Sequence, residues 1–231
     1  MTPLSASSCQ HPQSWRTGET EKTANAHPSP SVFIVDDDAA VRRALSRLIK
    51  SAGYRLNSFG SAREFLASEC RRQSPACLVL DVRLPDLGGL DLQSELRKAN
   101  ANLPIVFITG HGSIPMSVKA MKSGAVDFLS KPVKDTDLLR AVEQGLARAA
   151  DEDAQREEID SIQCRIDTLT PREKEVMTLV VQGRLNKQIA FELGTAEKTI
   201  KVHRARVMDK MNVDSLAELV RLAARVGIGQ N

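Results

Sequence analysis

At 231 residues, with 42% hydrophobic content and a net charge of +3, the chain is long enough for one or two domains with packed cores. Aromatics make up only 3%, so the cores are aliphatic and a stacking platform for single-stranded nucleic acid is excluded. A charge this small, taken over the whole chain, points to no partner.

Residues 1–30 are rich in Ser, Thr, Pro, Gln and His, with no basic start and no apolar run. They read as a disordered tail, in which lone Trp15 has no structural role, and not as a signal peptide. No later run is long enough to cross a bilayer, so a cytoplasmic protein without a membrane partner is expected. Cys9, Cys70, Cys77 and Cys164 show neither CxxC nor Cys/His ligand spacing and read as reduced cysteines that bind no metal.

From Ser31 onward strands alternate with helical patterns. The run Val32-Phe33-Ile34-Val35 is a buried strand ending in Asp36-Asp37-Asp38. Val41, Leu45, Leu48 and Ile49 then recur at helical spacing up to Gly53. A short strand around 55–59 and a helix over 61–72 follow. Cys77-Leu78-Val79-Leu80 is continuously apolar and bounded by turn signals, the form of a strand buried on both faces of a parallel sheet; it ends in Asp81. A helix near 89–99, the strand 104–108 ending in Thr109, a helix over 114–123, a strand over 126–129 and Lys131-Pro132 come next. A last helix starts near Asp135 and reaches at least Ala150. Five βα units in series predict an α/β fold, a doubly wound five-stranded parallel sheet with helices on both faces.

In such sheets chemistry gathers beyond the carboxyl ends of the strands. Asp36, Asp37 and Asp81 would meet there. Three carboxylates packed that closely repel unless a hard cation neutralises them, and all-oxygen ligands suit Mg²⁺. Asp38 fits the cap of the following helix instead. Thr109 and Lys131 add a hydroxyl and an ammonium along the same edge.

Residues 151–164 carry six acids against one Arg, and their helix formers, without Gly or Pro, favour a helical linker. Beyond it the chain is all helical. Thr170-Pro171-Arg172-Glu173 is a capping box with Pro at the first helical position. Asn186 is expected to cap a short second helix and Thr195 a third, Ala196–Met211, with Ala196, Ile200, Val207 and Met211 inward. Asp214 or Ser215 opens a fourth. Two short helices joined by a Gly-Thr turn have the form of a helix-turn-helix. Residues 165–231 hold twelve Lys and Arg against eight acids, and Lys198, Lys201, Val202, Arg204, Ala205 and Arg206 face outward on the third helix. A basic face there meets DNA phosphates more often than it is merely solvated. His203 is expected on the core-facing side.

The strand-end set resembles, over residues 31–150, the receiver domain of two-component response regulators, with a CheY-like fold. That resemblance implies that Asp81 accepts a phosphoryl group from a sensor histidine kinase. Asp36, Asp37, Asp81 and the backbone carbonyl of Arg83 would hold Mg²⁺. Thr109 would hydrogen-bond the phosphoryl group, Lys131 would pair with it, and Phe128 would be the aromatic switch. His111 would tune phosphate lifetime. LTPREKEVMTLVVQGRLNKQIA and TIKVHRARVMDKM resemble the LuxR-type DNA-binding domain. It implies contacts to double-stranded promoter DNA from Lys198, Thr199, Lys201, Val202, Arg204, Ala205 and Arg206, with Lys201 and Val202 at base edges. Together the halves resemble the NarL/FixJ family, nearer FixJ in IVDDDAAVRRAL and VDFLSKPV. The expectation is a transcription regulator, not a dedicated enzyme, that dimerises when phosphorylated and has RNA polymerase as a further partner.

Two other classes fit less well. A haloacid-dehalogenase-like phosphatase needs a second acid two residues after the first, where this chain has Arg83. A ligand-sensing LuxR-type regulator needs an aromatic-lined pocket, against which the 3% aromatic content weighs.

Overall fold

The computed structural model describes residues 30–69, 75–99, 101, 103–110 and 114–229. The expectations for the tail, for Cys9, Cys70 and for His111 lie outside them. The first half alternates β1 (Ser31–Val35), α1 (Ala39–Ser51), β2 (Arg55–Phe59), α2 (Ala62–Ala67), β3 (Ala76–Asp81), α3 (Gly89–Lys98), β4 (Ile105–Thr109), α4 (Ile114–Lys122) and β5 (Asp127–Ser130). All pairings are parallel and the strand order is β2-β1-β3-β4-β5. The direction of winding reverses between β1 and β3, which opens a crevice where both strands end.

Because side chains alternate across a strand, each apolar run feeds both faces of the sheet. Phe33, Val35, Leu78, Leu80 and Phe107 pack with Phe65 of α2, Leu92 of α3 and Ala120 of α4. Val32, Ile34, Val79 and Ile108 pack on the other face with Leu45 and Ile49 of α1 and with Leu138, Val142 and Leu146 of α5 (Asp135–Asp167). Where α5 crosses β3 the backbones approach closely: a Cβ on Gly145 would lie 2.5 Å from Cys77 Sγ. Cys77 and Cys164 are both free, and burial pushes the Cys77 thiol up to about 12.

α5 is a single helix of 33 residues, and the acidic stretch lies within it. Its far end, Ile162 and Ile166, joins a second core with α6 (Pro171–Val181), α7 (Asn186–Glu192), α8 (Glu197–Met211) and α9 (Leu216–Arg225). Between Ala149 and Ile162 none of its residues is buried. No helix among the described residues is long and apolar enough to cross a membrane.

Several local expectations are corrected. α2 ends at Ala67, with Ser68 extended, rather than at 72. β5 runs one residue later than read. Leu185, not Asn186, is the N-cap of α7, and Asn186 is its first helical residue; Gln188 Oε1 accepts the Leu185 N–H at 2.8 Å and satisfies one donor. Ala196, not Thr195, caps α8 and is exposed rather than inward. The turn sets this frame: Gly194 takes φ +61°, and the Thr195 N–H goes to the Ala190 carbonyl, which leaves Thr195 in the turn. Thr170 with Glu173 does form the reciprocal capping box, and Ser215 caps α9.

Candidate functional site

β1 and β3 both deliver a carboxylate to the crevice. Asp36 follows the last residue of β1 and is fully buried, Asp81 ends β3 and is 6% exposed, and Asp37 is exposed. Each offers an oxygen within 4.8 Å of the others. Their loops are fixed by backbone donors: Asp38 N–H to Asp36 Oδ1 at 2.9 Å, and Arg83 N–H to Asp81 Oδ1 at 2.9 Å. Asp38 turns away and caps α1, accepting from Ala40 and Val41. After β3 the chain doubles back so tightly that a Cβ at Gly89 would overlap the Asp81 carbonyl oxygen. Glycine is required there by space, which fixes the turn that follows Asp81.

Lys131 reaches in from the end of β5. Its Nζ donates to Asp36 Oδ2 at 2.7 Å and to Asp81 Oδ2 at 2.6 Å. The Lys131-Pro132 peptide is cis, and the Lys131 N–H is held by the Thr109 carbonyl at 2.7 Å. Burial pushes the Asp36 carboxyl up, and the Lys131 contact only partly opposes this. Burial also pulls Lys131 down, but its hydrogen bonds to Asp36 and Asp81 outweigh this and hold the ammonium above its ordinary value. The two directions are compatible because Asp36 is wholly removed from water while the Lys131 side chain keeps 21% exposure.

Thr109 ends β4, is fully buried and lies one residue beyond Ile108, the register partner of Asp81. Phe128 on β5 is half-buried opposite Phe107, ring centroids 6.2 Å apart, on the face shared with α3 and α4. The fold thus brings Asp36, Asp37, Asp81 and Lys131 together, with Thr109 on the adjoining strand end. An all-oxygen, partly buried carboxylate set of this size suits a small hard cation, and the ammonium already between two of the acids shows where positive charge is held.

Arg42 was not singled out from the sequence. Its guanidinium donates to the carbonyls of Asp36 at 2.6 Å and Asp37 at 2.9 Å and pins the acidic loop. A cation in the second turn of a helix that follows an acidic run was the available signal.

In the helical half, Ile200, Val207 and Met211 of α8 are buried against α6 and α7. Lys198, Thr199, Lys201, Val202, Ala205 and Arg206 are exposed on its outer face. Lys201 makes an exposed i,i+4 pair with Glu197 at 3.4 Å, too weak to withhold it from a ligand. Arg204 is half-buried and donates to Asn186 Oδ1 at 3.2 Å, so it braces α7 against α8 at the edge of that face. His203 is half-buried with Nδ1 enclosed and unpartnered, in keeping with its inward orientation. Among the described residues, α5 makes substantial contact with both halves, and the α8 face is exposed.

The fold and the strand-end site define a doubly wound α/β unit with an acidic cluster at its switch point, joined by one helix to a helix-turn-helix unit. Residues 32–143 match the response regulator receiver domain, and residues 167–223 match the bacterial regulatory proteins of the luxR family. Nodulation protein W of Bradyrhizobium diazoefficiens is 49% identical over 94% of both chains. The transcriptional regulatory protein FixJ of Rhizobium meliloti is 40% identical over 86% of this chain and 97% of its own. Among solved structures, the response regulator StyR is 48% identical and covers 85% of this chain and 99% of its own, with a TM-score of 0.76. The chain belongs to the FixJ-like response regulators, built from a receiver domain and a LuxR-type DNA-binding domain.

Proposed function

We propose that this response regulator is switched by phosphoryl transfer from a sensor histidine kinase to Asp81, and that the phosphorylated form pairs and binds promoter DNA through α8. The observation that carries the reading is Asp81 at the switch point of the sheet, 2.6 Å from Lys131 and grouped with Asp36 and Asp37. An Asp81 carboxylate oxygen attacks the phosphorus of a phosphohistidine. The N–P bond breaks, an acyl phosphate O–P bond forms, and the electron pair returns to the imidazole nitrogen. Asp36, Asp37, Asp81 and the Arg83 carbonyl would hold Mg²⁺, which when bound would neutralise charge on the phosphoryl oxygens. Lys131 exchanges its bond to Asp81 for one to the phosphoryl group, and Thr109 donates its hydroxyl to it. With Thr109 drawn in, Phe128 moves further inward and repacks the β5 and α4 side of the domain.

Residues 31–150 serve as the phosphoacceptor unit, 151–164 as the linker and 165–231 as the DNA-binding unit of a cytoplasmic regulator. It accepts one phosphoryl group rather than turning substrate over. On α8, Lys201 and Val202 read base edges while Lys198, Thr199, Ala205 and Arg206 lie along the backbone, with Arg204 at the rim. A dimer follows because one recognition helix covers one half-site. RNA polymerase is the further partner of such a complex.

The test is incubation of wild type and Asp81→Asn with a small phosphodonor and Mg²⁺, followed by intact mass and titration of a two-half-site duplex. Wild type gains one base-labile phosphoryl group and about tenfold or more in DNA affinity from pairing. Asp81→Asn gains neither. Label on another acid in the wild type overturns the assignment.

A further inference from the structure

We infer that Arg42 is a positioning residue of the acidic cluster: by holding the peptide carbonyls before and after the Asp37 α-carbon, it keeps the Asp37 carboxylate beside its neighbours and so sets how tightly the cluster takes Mg²⁺. The inference rests on the reading above for the identity of the cation and for nothing else.

The three carboxylates are not held alike. Asp36 Oδ1 accepts the Asp38 N–H at 2.9 Å, and its Oδ2 binds Lys131 at 2.7 Å. Asp81 is fixed in the same way, by the Arg83 N–H at 2.9 Å and by Lys131 at 2.6 Å. The Asp37 carboxylate receives no hydrogen bond and no ion pair among the described residues, yet it is exposed and keeps an oxygen within 4.8 Å of both other acids. Like charges that close drive an untethered carboxylate out into water. Its place therefore depends on the backbone that carries it. Past the end of β1, the Asp36 N–H reaches the Phe59 carbonyl at a long 3.3 Å. The Asp36 and Asp37 carbonyls both accept from Arg42 Nη1, at 2.6 Å and 2.9 Å.

Arg42 is itself well placed. It lies one turn into α1, whose start Asp38 caps, and its own N–H goes to the Asp38 carbonyl at 3.0 Å. Its half-buried side chain rests against the turn after β2, where a Cβ at Gly60 would lie 3.6 Å from Nη1 and 3.7 Å from Cζ. Glu64 Oε2 steadies that turn by accepting the Gly60 N–H at 2.7 Å. Arg42 pairs with no described acid, so its donors go to carbonyls although three carboxylates are near. Lys131 serves the carboxylates, and Arg42 serves the peptide that carries them. Groups that orient metal ligands without touching the ion change its affinity by about 10- to 100-fold when removed. The charge of Arg42 acts in the opposite sense, because a cation beside the cluster repels Mg²⁺. Position outweighs charge: a partly exposed charge is screened by water and salt, whereas a displaced carboxylate is lost to the site.

The test is calorimetric titration of MgCl₂ into the full chain without phosphodonor, for wild type, Arg42→Met and Arg42→Lys, with urea midpoints of the metal-free proteins read alongside. Arg42→Met keeps the stem and removes the donors, and its Mg²⁺ Kd rises at least about tenfold. Arg42→Lys keeps charge and donors on a more flexible stem and loses less; it carries the comparison with wild type by itself if Arg42→Met does not fold. With a small phosphodonor added, the Mg²⁺ concentration giving half the maximal phosphorylation rate rises by the same factor as Kd. Saturating Mg²⁺ restores the wild-type plateau, because Asp81, Lys131 and Thr109 are untouched. An unchanged or tighter Kd in Arg42→Met overturns the inference, whatever happens to the urea midpoint, and so does a wild type that takes up no Mg²⁺. A wild type that takes up Mg²⁺ but no phosphoryl group counts against the phosphoacceptor reading instead, and the titrations still decide the role of Arg42.

Discussion

At the scale of single residues, Glu173 serves two elements at once. Its carboxylate accepts the Thr170 N–H at 2.9 Å, closing the cap of α6, and binds Lys210 Nζ of α8 at 2.7 Å. The Lys210 ammonium, ahead of the Thr170 N–H, holds this carboxyl down to about 2 against an ordinary 4.5. A group with a depressed folded value stabilises the native state above its unfolded pKa, and that stability disappears as pH falls through the folded one. Its contribution is therefore complete above about pH 5 and fades towards pH 2. Urea midpoints measured across that range should show Glu173→Gln less stable than wild type near neutrality, the gap closing as the acid is titrated. A gap independent of pH would assign the loss to packing alone. Asp36 lies at the other extreme. Its charge is sustained only by what surrounds it, chiefly Lys131, and its environment is tuned for accepting positive charge rather than for stability.

At the scale of elements, one tight constraint is the crossing of α5 over β3. Gly145→Ala should destabilise the receiver by about 1–3 kcal/mol, the cost of overpacking a filled interior. Because the obstructing atom is Cys77 Sγ, and the next neighbours of a new Cβ are at 3.4 Å and 3.6 Å, Cys77→Ala in the same chain should return most of the loss. A thermal-melt double-mutant cycle checks this; strictly additive losses would place the strain elsewhere. That crossing was not legible in the sequence, since it depends on which turn of α5 lands on which strand. Much else was. The apolar runs of β1, β3 and β4 fix where each strand stops, and with them Asp36, Asp81 and Thr109, because burial on both faces leaves no other reading of those runs. Helix starts were legible where a side chain caps its own helix, at Asp38, Thr170 and Ser215, and also without such a cap at Gly89 and Asp135. At Leu185 and Ala196 the frame is set by the neighbouring turn, so local capping preference chose the wrong residue. Arg42 on two carbonyls and Lys210 on Glu173 are tertiary contacts with no periodic signature.

At the scale of the whole molecule, the two cores are joined by one continuous helix that neither core buries between Ala149 and Ile162. A helix of 33 residues spans about 50 Å, and each residue advances it by about 1.5 Å and turns it by about 100°. Relative orientation of receiver and DNA-binding unit is thereby a matter of helical phase, counted in residues. Two alanines inserted after Asp160 leave both cores and the acidic stretch intact but rotate α8 by about 200° about the α5 axis, whereas seven return it to within about 20° while lengthening the spacer by about 10 Å. Binding to a single half-site should be indifferent to both insertions. On a two-half-site duplex, the phosphorylated two-residue insert should lose most of its advantage and the seven-residue insert should regain much of it. Equal binding by both inserts would mean that the connection turns freely. A regulator wired in this way carries an angular address: the spacing and facing of the operator halves it can occupy are set as much by how many residues separate Ala149 from Ile162 as by any side chain that touches a base.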